Sequence, residues 1–488
     1  MKLSRAGILL VVLVACSVTA LSQTWHALHN QPSFGASIPL QLTDGTVLVQ
    51  DGNTGSNWWR LTPDQSGSYL NGTWTQMASL PPGYGPSAFG SAVLADGRVI
   101  VEGGEYNFGQ LEWTNLGAVY DPLTNVWTNV DPPPGWTIIG DAESVVLSDG
   151  TFMLANCCAF PFTAALLDEK TLSWTFTGSN KQDLYDEEGW TLLPDGAVLT
   201  VDTENALHPK HAEKYVPKLG EWISAGSTIV LLSDPPTAEI GPAVLRPDGT
   251  VFATGANSDK TKAGHTSIYH PPADLMQPGH WVPGPDIPDE NDMGDAPAAL
   301  LPDGNVLCDT NHGINNPPTT FYEFDGTKFT KVPGPPRANK DATEQGSMLV
   351  LPTGQIFFTD GSSDVEIYTS TGKPDPSWAP AISVYPRTVT RGDSYVISGT
   401  QFNGLSQGAM YGDDAQMATN YPLIRITNSA SHHVFYARTH NPSTMGVATG
   451  NAKVSTHFDV PSDMETGASK LVVVANGIAS QPVVITVQ

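Results

Sequence analysis

One phrase recurs seven times along the 488 residues: an apolar position, a turn ending in glycine, then an apolar strand. It reads LTDGTVLVQDG at 42–52, LADGRVIVEGG at 94–104, LSDGTFMLANC at 147–157 and LPDGAVLTVDT at 193–203. It continues as RPDGTVFATGA at 246–256, LPDGNVLCDTN at 301–311 and LPTGQIFFTDG at 351–361. The turn glycines are Gly45, Gly97, Gly150, Gly196, Gly249, Gly304 and Gly354, spaced by 52, 53, 46, 53, 55 and 50 residues. Asp-Gly between two apolar runs marks a hairpin, because the turn needs positive φ. A period near 50 means one supersecondary unit stacked on its copies, since a single copy cannot bury its own apolar face. Glycine 47 and proline 40 disfavour helical bundles, both residues being poor in helices.

Each copy continues with a third strand and an aromatic-bearing fourth, as in GAVYDPLTNVWTNV at 117–130. The aromatics are Trp74, Trp127, Trp174, Trp222, Trp281, Phe329 and Trp378, read as packing between units. Four strands per period near 50 is the kelch-type propeller unit, and seven periods predict seven blades over 23–380. A propeller has an open edge unless its ends interlock. Thr24-Trp25 stands about one fourth-strand position ahead of Gly45, so the N-terminus is expected to complete the last blade, with Trp378 competing for that slot. Residues 381–488 alternate in short strands (DSYVISGTQF, PLIRITNS, KVSTHFDVPSD, SKLVVVANGIAS, QPVVITVQ), which predicts an immunoglobulin-like β-sandwich. The fold class is therefore all-β, propeller followed by sandwich.

Residues 1–22 read as a signal peptide: Lys2 and Arg5, an apolar stretch from Ala6 to Val14, and Ala20-Leu21-Ser22 as a cleavage site. The product is expected to be secreted or periplasmic. Leu13-Val14-Ala15-Cys16 also resembles a lipoprotein box, which would acylate Cys16 and make a surface lipoprotein. No later stretch is long and apolar enough to span a bilayer. Cys157, Cys158 and Cys308 remain after cleavage; adjacent Cys157-Cys158 could close a vicinal disulfide, but buried thiols are the favoured reading.

The order propeller then sandwich resembles the galactose oxidase and glyoxal oxidase family, most sharply in RTHNPSTMG, FDVPSD and VVVANGIASQP between Arg438 and Ser480. The resemblance implies a histidine from the first segment, here His440, reaching the propeller axis as a copper ligand. It also implies a Tyr-His pair nine to ten residues before a late turn glycine, and a crosslinked tyrosine at that place in an early blade. Counting back from Gly354 meets Glu344-Gln345 instead. Nine residues before the seven glycines stand Ala36, Ala88, Asp141, Glu187, Ile240, Asp295 and Gln345, none of them tyrosine, histidine or cysteine. Tyr269-His270 falls on a third strand and is read as packing. A copper-radical site, and oxidase activity with it, are not expected.

Acid occupies those positions. Asp141 and Glu143, Asp186 to Glu188, Glu239, Asp295 and Glu344 place carboxylates near the axis in five successive copies. Asp51, Glu102, Asp202, Glu204, Asp309 and Asp360 follow the second strands on the same rim. Across the chain 49 acids face 23 bases, a net charge of −26, and phosphate backbones are repelled, so nucleic acid is excluded as a partner. Converging carboxylates must be protonated, solvated or neutralised. Three readings stand: strand-end acids beside water, a hard cation such as calcium at Asp141, Glu187, Asp295 and Glu344, or a carboxylate pair for acid–base work on a glycan. His208, His211, His265 and His312 near the rim show no HExxH spacing. The leading expectation is a non-enzymatic protein binding a glycan, polymer or protein ligand at the acidic face through Asp141, Glu143, Glu187, Glu239, Asp295, Glu344 and His440, with no obligate cofactor. A carbohydrate-active enzyme, either an atypical oxidase relative or a carboxylate-based hydrolase or lyase, and an adhesive surface protein are the alternatives.

Overall fold

The recurring turn is where sequence becomes structure most directly. All seven turn glycines adopt φ between +80° and +94°. At the first, Gly45 N–H donates to Leu42 O at 3.1 Å and Leu42 N–H to Thr46 O at 2.8 Å. The preceding aspartate closes the loop: Asp44 Oδ1 accepts from Thr46 N–H at 3.0 Å, and Asp96, Asp149, Asp195, Asp248 and Asp303 repeat that bond two residues on. Asp is favoured there because its short side chain mimics a backbone turn.

A computed structural model describes residues 24–157, 163–412 and 417–488. The expected leader, with Cys16, and Cys158 lie outside the described residues. The described chain is all-β, and many of its sheets are four-stranded, an arrangement consistent with a propeller. The first repeat pairs Ala36–Gln41, Val47–Asp51, Trp58–Thr62 and Thr73–Gln76 in that order, and the second to sixth repeats do likewise. Most neighbouring innermost strands touch in sequence order, and Ala36–Gln41 also contacts Ser347–Val350, so first and last repeats meet.

That meeting is secured by the N-terminus. Thr24–Ala27 pairs antiparallel with Glu366–Thr369, Trp25 opposite Tyr368. Trp378 instead lies in the turn Pro376–Trp378, against Gly304. The outer-strand tryptophans bind backwards: Trp127 Nε1 donates to Ala78 O, Trp174 to Asp131 O, Trp281 to Ala225 O, and Trp25 to Pro333 O, each in the chain that ends the preceding repeat. Buried indoles need such partners, and here the partner ties sheet to sheet.

The chain after Trp378 forms a nine-stranded sheet path around its own apolar core, including Ile397, Phe402, Ile424, Phe458 and Leu471. Its strand Val434–His440 changes partner halfway: Val434 to Ala437 pair with Leu423–Asn428, Arg438 to His440 with Val454–Asp459. This region rests on the Asp-Gly turns, through Thr439 N–H to Thr43 O, Asn441 N–H to Ala95 O and Met445 N–H to Ser148 O. One segment leaves it. Ala409–Met410 pairs with Ala298 and Ala299 as a fifth strand beside an innermost strand, and Leu192 N–H donates to Gln407 Oε1 at 2.7 Å. The sequence boundary at 380 does not separate this segment from the repeats.

Candidate functional site

Opposite the Asp-Gly turns, the starts of the innermost strands surround a cavity of about 750 Å³. Asp141, Glu187, Glu239, Asp295 and Glu344 all line it, one from each of five consecutive repeats, and Glu105 and Asp360 join them. Among the described residues Arg337 is the one basic lining residue; its guanidinium holds Asp360 at 3.0 Å and Asp341 at 3.2 Å. One carboxylate oxygen each from Glu187, Glu239 and Asp295 falls within a 4.8 Å span. The chain enters these positions through left-handed backbone: Gly140 before Asp141, Glu187 itself, Ala238 before Glu239, and Asp295 itself. Left-handed φ at a non-glycine residue costs about 1 kcal/mol, so its recurrence needs support from the surrounding sheets.

Burial pushes the Glu344 carboxyl above its ordinary value. Asp341 is pushed up to about 6, by burial and then by Asp360, with Arg337 opposing. The field reaches Tyr106 as well, whose phenol is raised by Glu105 first, then by burial, Asp141 and Glu344.

No family profile matches the chain. It is 26% identical over 202 residues to the kelch-like protein terF of Aspergillus terreus, a match covering 38% of this chain and 42% of that protein. The kelch-type propeller is what that similarity supports. Among solved structures the chain is similar to YjhT, at 12% identity and a TM-score of 0.42, over 62% of this chain and 99% of that one. It is also similar to the extracellular domain of a protein described as a hybrid two-component system of B. thetaiotaomicron, at 9% identity and a TM-score of 0.48, over 96% of this chain and 59% of that one.

Two residues singled out in the sequence stand elsewhere. Glu143 is fully buried behind the cavity, where its Oε1 accepts from Glu188 N–H at 3.1 Å. His440 does not line the cavity: its Nε2 meets Asp459 at 3.1 Å and its ring stacks on His457, because the pairing of Val434–His440 with Val454–Asp459 fixes it there. From the same C-terminal region it is Tyr411, not His440, that reaches the cavity. It lines the cavity at the end of the 409–410 strand and donates its hydroxyl to Glu344 O at 3.1 Å. Sequence reading also missed Glu105 and Tyr106, which belong to a hairpin inserted in the second repeat. That insertion lies between the second and third strands of its repeat, outside the stretch that counting back from the glycines covers.

Cys157 corrects a further expectation. It is disulfide-bonded rather than a buried thiol, while Cys308 is a buried free thiol whose burial pushes its pKa up. Tyr269 fits its reading as packing: it is fully buried, 4.9 Å from Trp281, with its hydroxyl on Pro278 O.

The second-strand acids divide by burial. Asp360 reaches the cavity, but Glu102 and Asp309 are sealed in, and burial raises both well above the ordinary carboxyl value. A Cβ on Gly117 would overlap the Glu102 carboxyl, so glycine is required opposite it. Because the folded pKa of Glu102 lies above the unfolded one, its contribution is intact below about pH 4.5 and lost as pH rises. Glu102→Gln is therefore expected to melt higher than the parent at pH 8, by about 1–3 kcal/mol of stability, and alike at pH 4. Thermal denaturation at the two pH values measures it; an equal difference at both would assign Glu102 a different ionisation.

Proposed function

We propose that the protein is an exported seven-bladed kelch-type propeller with an immunoglobulin-like C-terminal domain, resembling the galactose oxidases without their copper-radical site, and that its axial cavity binds a hydroxyl-rich ligand such as a glycan or polymer end. The observation that carries this is the convergence of five carboxylates from consecutive repeats on one cavity, with Arg337, the only basic lining residue among the described residues, already engaged by acids. Such a lining repels phosphate and sulfate and offers acceptors to hydroxyl groups. Tyr106, Phe89 and Tyr411 add aromatic surface in the same wall. Calcium suits Glu187, Glu239 and Asp295, since ligands on opposite sides of that ion stand roughly 5 Å apart and it prefers several oxygens.

Calorimetric titration of the protein with calcium, followed by binding to a glycan panel, tests the reading. Glu187→Gln, Glu239→Gln and Asp295→Asn together are expected to weaken calcium binding at least tenfold while leaving the melting temperature unchanged or raised, because mutual repulsion is relieved. Unchanged binding in the triple variant, or none in the parent protein, would remove the cation from the proposal. A hydrolase or lyase is the second reading. Carboxyl groups gathered in one cavity are what acid–base cleavage of a glycosidic bond requires. Release of reducing ends from a bound glycan would favour it.

A further inference from the structure

Away from the acidic cavity, a smaller one of about 410 Å³ opens at the fourth repeat, lined by Asn180, Gln182, Asn205, His208, His211 and Ser224 among others. At its wall three side chains form a chain of contacts. Asp202, fully buried, meets His211 Nδ1 through Oδ2 at 2.8 Å, and His211 Nε2 meets Ser224 Oγ at 3.0 Å. The acid binds one ring nitrogen and the hydroxyl the other, which is the connectivity that activates a serine nucleophile whatever the fold or sequence order.

The sheet builds this arrangement by an irregularity. His211–Val216 pairs with Glu221–Ser227, and the register slips between Ala212 and Glu213, so Ala212 faces Gly226 while Glu213 faces Ser224. The bulge displaces Ala225 from the ladder and re-aims the side chains around it. Asn205 Nδ2 donates to the same Asp202 Oδ2 at 2.7 Å and helps to hold that oxygen in place. Behind the histidine, Lys181 binds Glu213 at 3.0 Å and Glu188 at 2.9 Å. Glu213 is thereby engaged by a cation and Asp202 remains the partner of the imidazole. The Asp202 hydrogen bond holds His211 above its ordinary pKa against burial, the direction needed to stabilise an imidazolium. Ser224 is exposed, and Gly226 N–H donates to its Oγ at 3.2 Å, which fixes the hydroxyl against the imidazole.

We propose that Ser224, His211 and Asp202 form a second, esterolytic site that accepts small polar acyl esters. Ser224 Oγ attacks the ester carbonyl carbon as its proton passes to His211 Nε2. The tetrahedral adduct collapses, the alkoxide leaves with that proton, and an acyl-serine remains. Water then attacks the acyl carbon, gives its proton to His211, and releases the acid as the proton returns to Ser224. Ester and water become acid and alcohol with no other reactant.

The test is covalent labelling of the full chain with a fluorophosphonate, read by intact mass and by peptide mapping, beside hydrolysis of p-nitrophenyl acetate. One adduct on Ser224 is expected, absent in Ser224→Ala and slowed at least a hundredfold in His211→Gln, with Asp202→Asn between them. His211→Gln is checked for an unchanged melting temperature, and Ser224→Ala, at an exposed position, serves as the variant that keeps the fold. No adduct on Ser224 of the parent protein, or equal labelling in His211→Gln and in the parent, would overturn the proposal.

Discussion

Replacing Lys181 by methionine is expected to lower folding stability by about 3–5 kcal/mol, more than any other single change considered. Its ammonium has no exposure and lies between Glu188 Oε1 at 2.9 Å and Glu213 Oε2 at 3.0 Å, both equally sealed. Burial opposes the charge on Lys181, but Glu188 and Glu213 outweigh it and keep the pKa above the ordinary lysine value. The rings of Tyr185 and Trp222, each about 5.5 Å from the nitrogen, add a cation–π share. Removing the cation leaves two carboxylates facing each other without solvent, and that stranded charge, more than the lost attraction, sets the size of the effect. Lys181→Met, Glu188→Gln and Glu213→Gln combined should therefore recover most of the loss. Urea denaturation of the single and triple variants decides the matter: a single-variant loss under about 1 kcal/mol would mean that the acids are already neutral.

The second large effect is expected at the closure. Trp25→Ala should destabilise the protein by about 3 kcal/mol, at the lower end for a large aromatic because Trp25 is only partly buried. Its ring contacts Phe321, Phe358 and Tyr368 with centroids 5.0–5.4 Å apart, and its indole N–H bonds Pro333 O at 2.6 Å. It thus joins the sixth repeat to the seventh as Trp127 joins the first to the second. Among the described residues Thr24–Ala27 is also the only strand covering the edge of Glu366–Thr369, and an uncovered edge invites pairing with other chains. Light scattering during thermal denaturation should show aggregation starting earlier in Trp25→Ala than in the parent; a melting curve unshifted by the substitution would mean that the ladder alone secures the ring.

The repeats were legible in the sequence because their signals are local. Asp44, Gly45 and the apolar residues around them act within six positions, so spacing alone located seven turns and, by counting back, five of the acids that line the cavity. What escaped depends on distant chain. Lys181 lies 32 residues from Glu213, and neither position carries a pattern that names the other. His211 and Ser224 meet only because a register slip intervenes, and no residue type announces a slip of that kind. His440 was placed by resemblance, yet the ladder with Val454–Asp459 draws it away and Tyr411 arrives by another route. Cys157 shows the same limit, since a disulfide depends on geometry that adjacent letters do not record.

The strand Ala409–Met410 has a consequence for inheritance. It belongs by sequence to the C-terminal half and by position to the sixth repeat, and Tyr411 at its end closes part of the cavity wall. The two halves are therefore not interchangeable parts. A recombination event at the apparent seam near residue 380 would deliver the five carboxylates without Tyr411, leaving open the part of the cavity wall that the C-terminal region supplies.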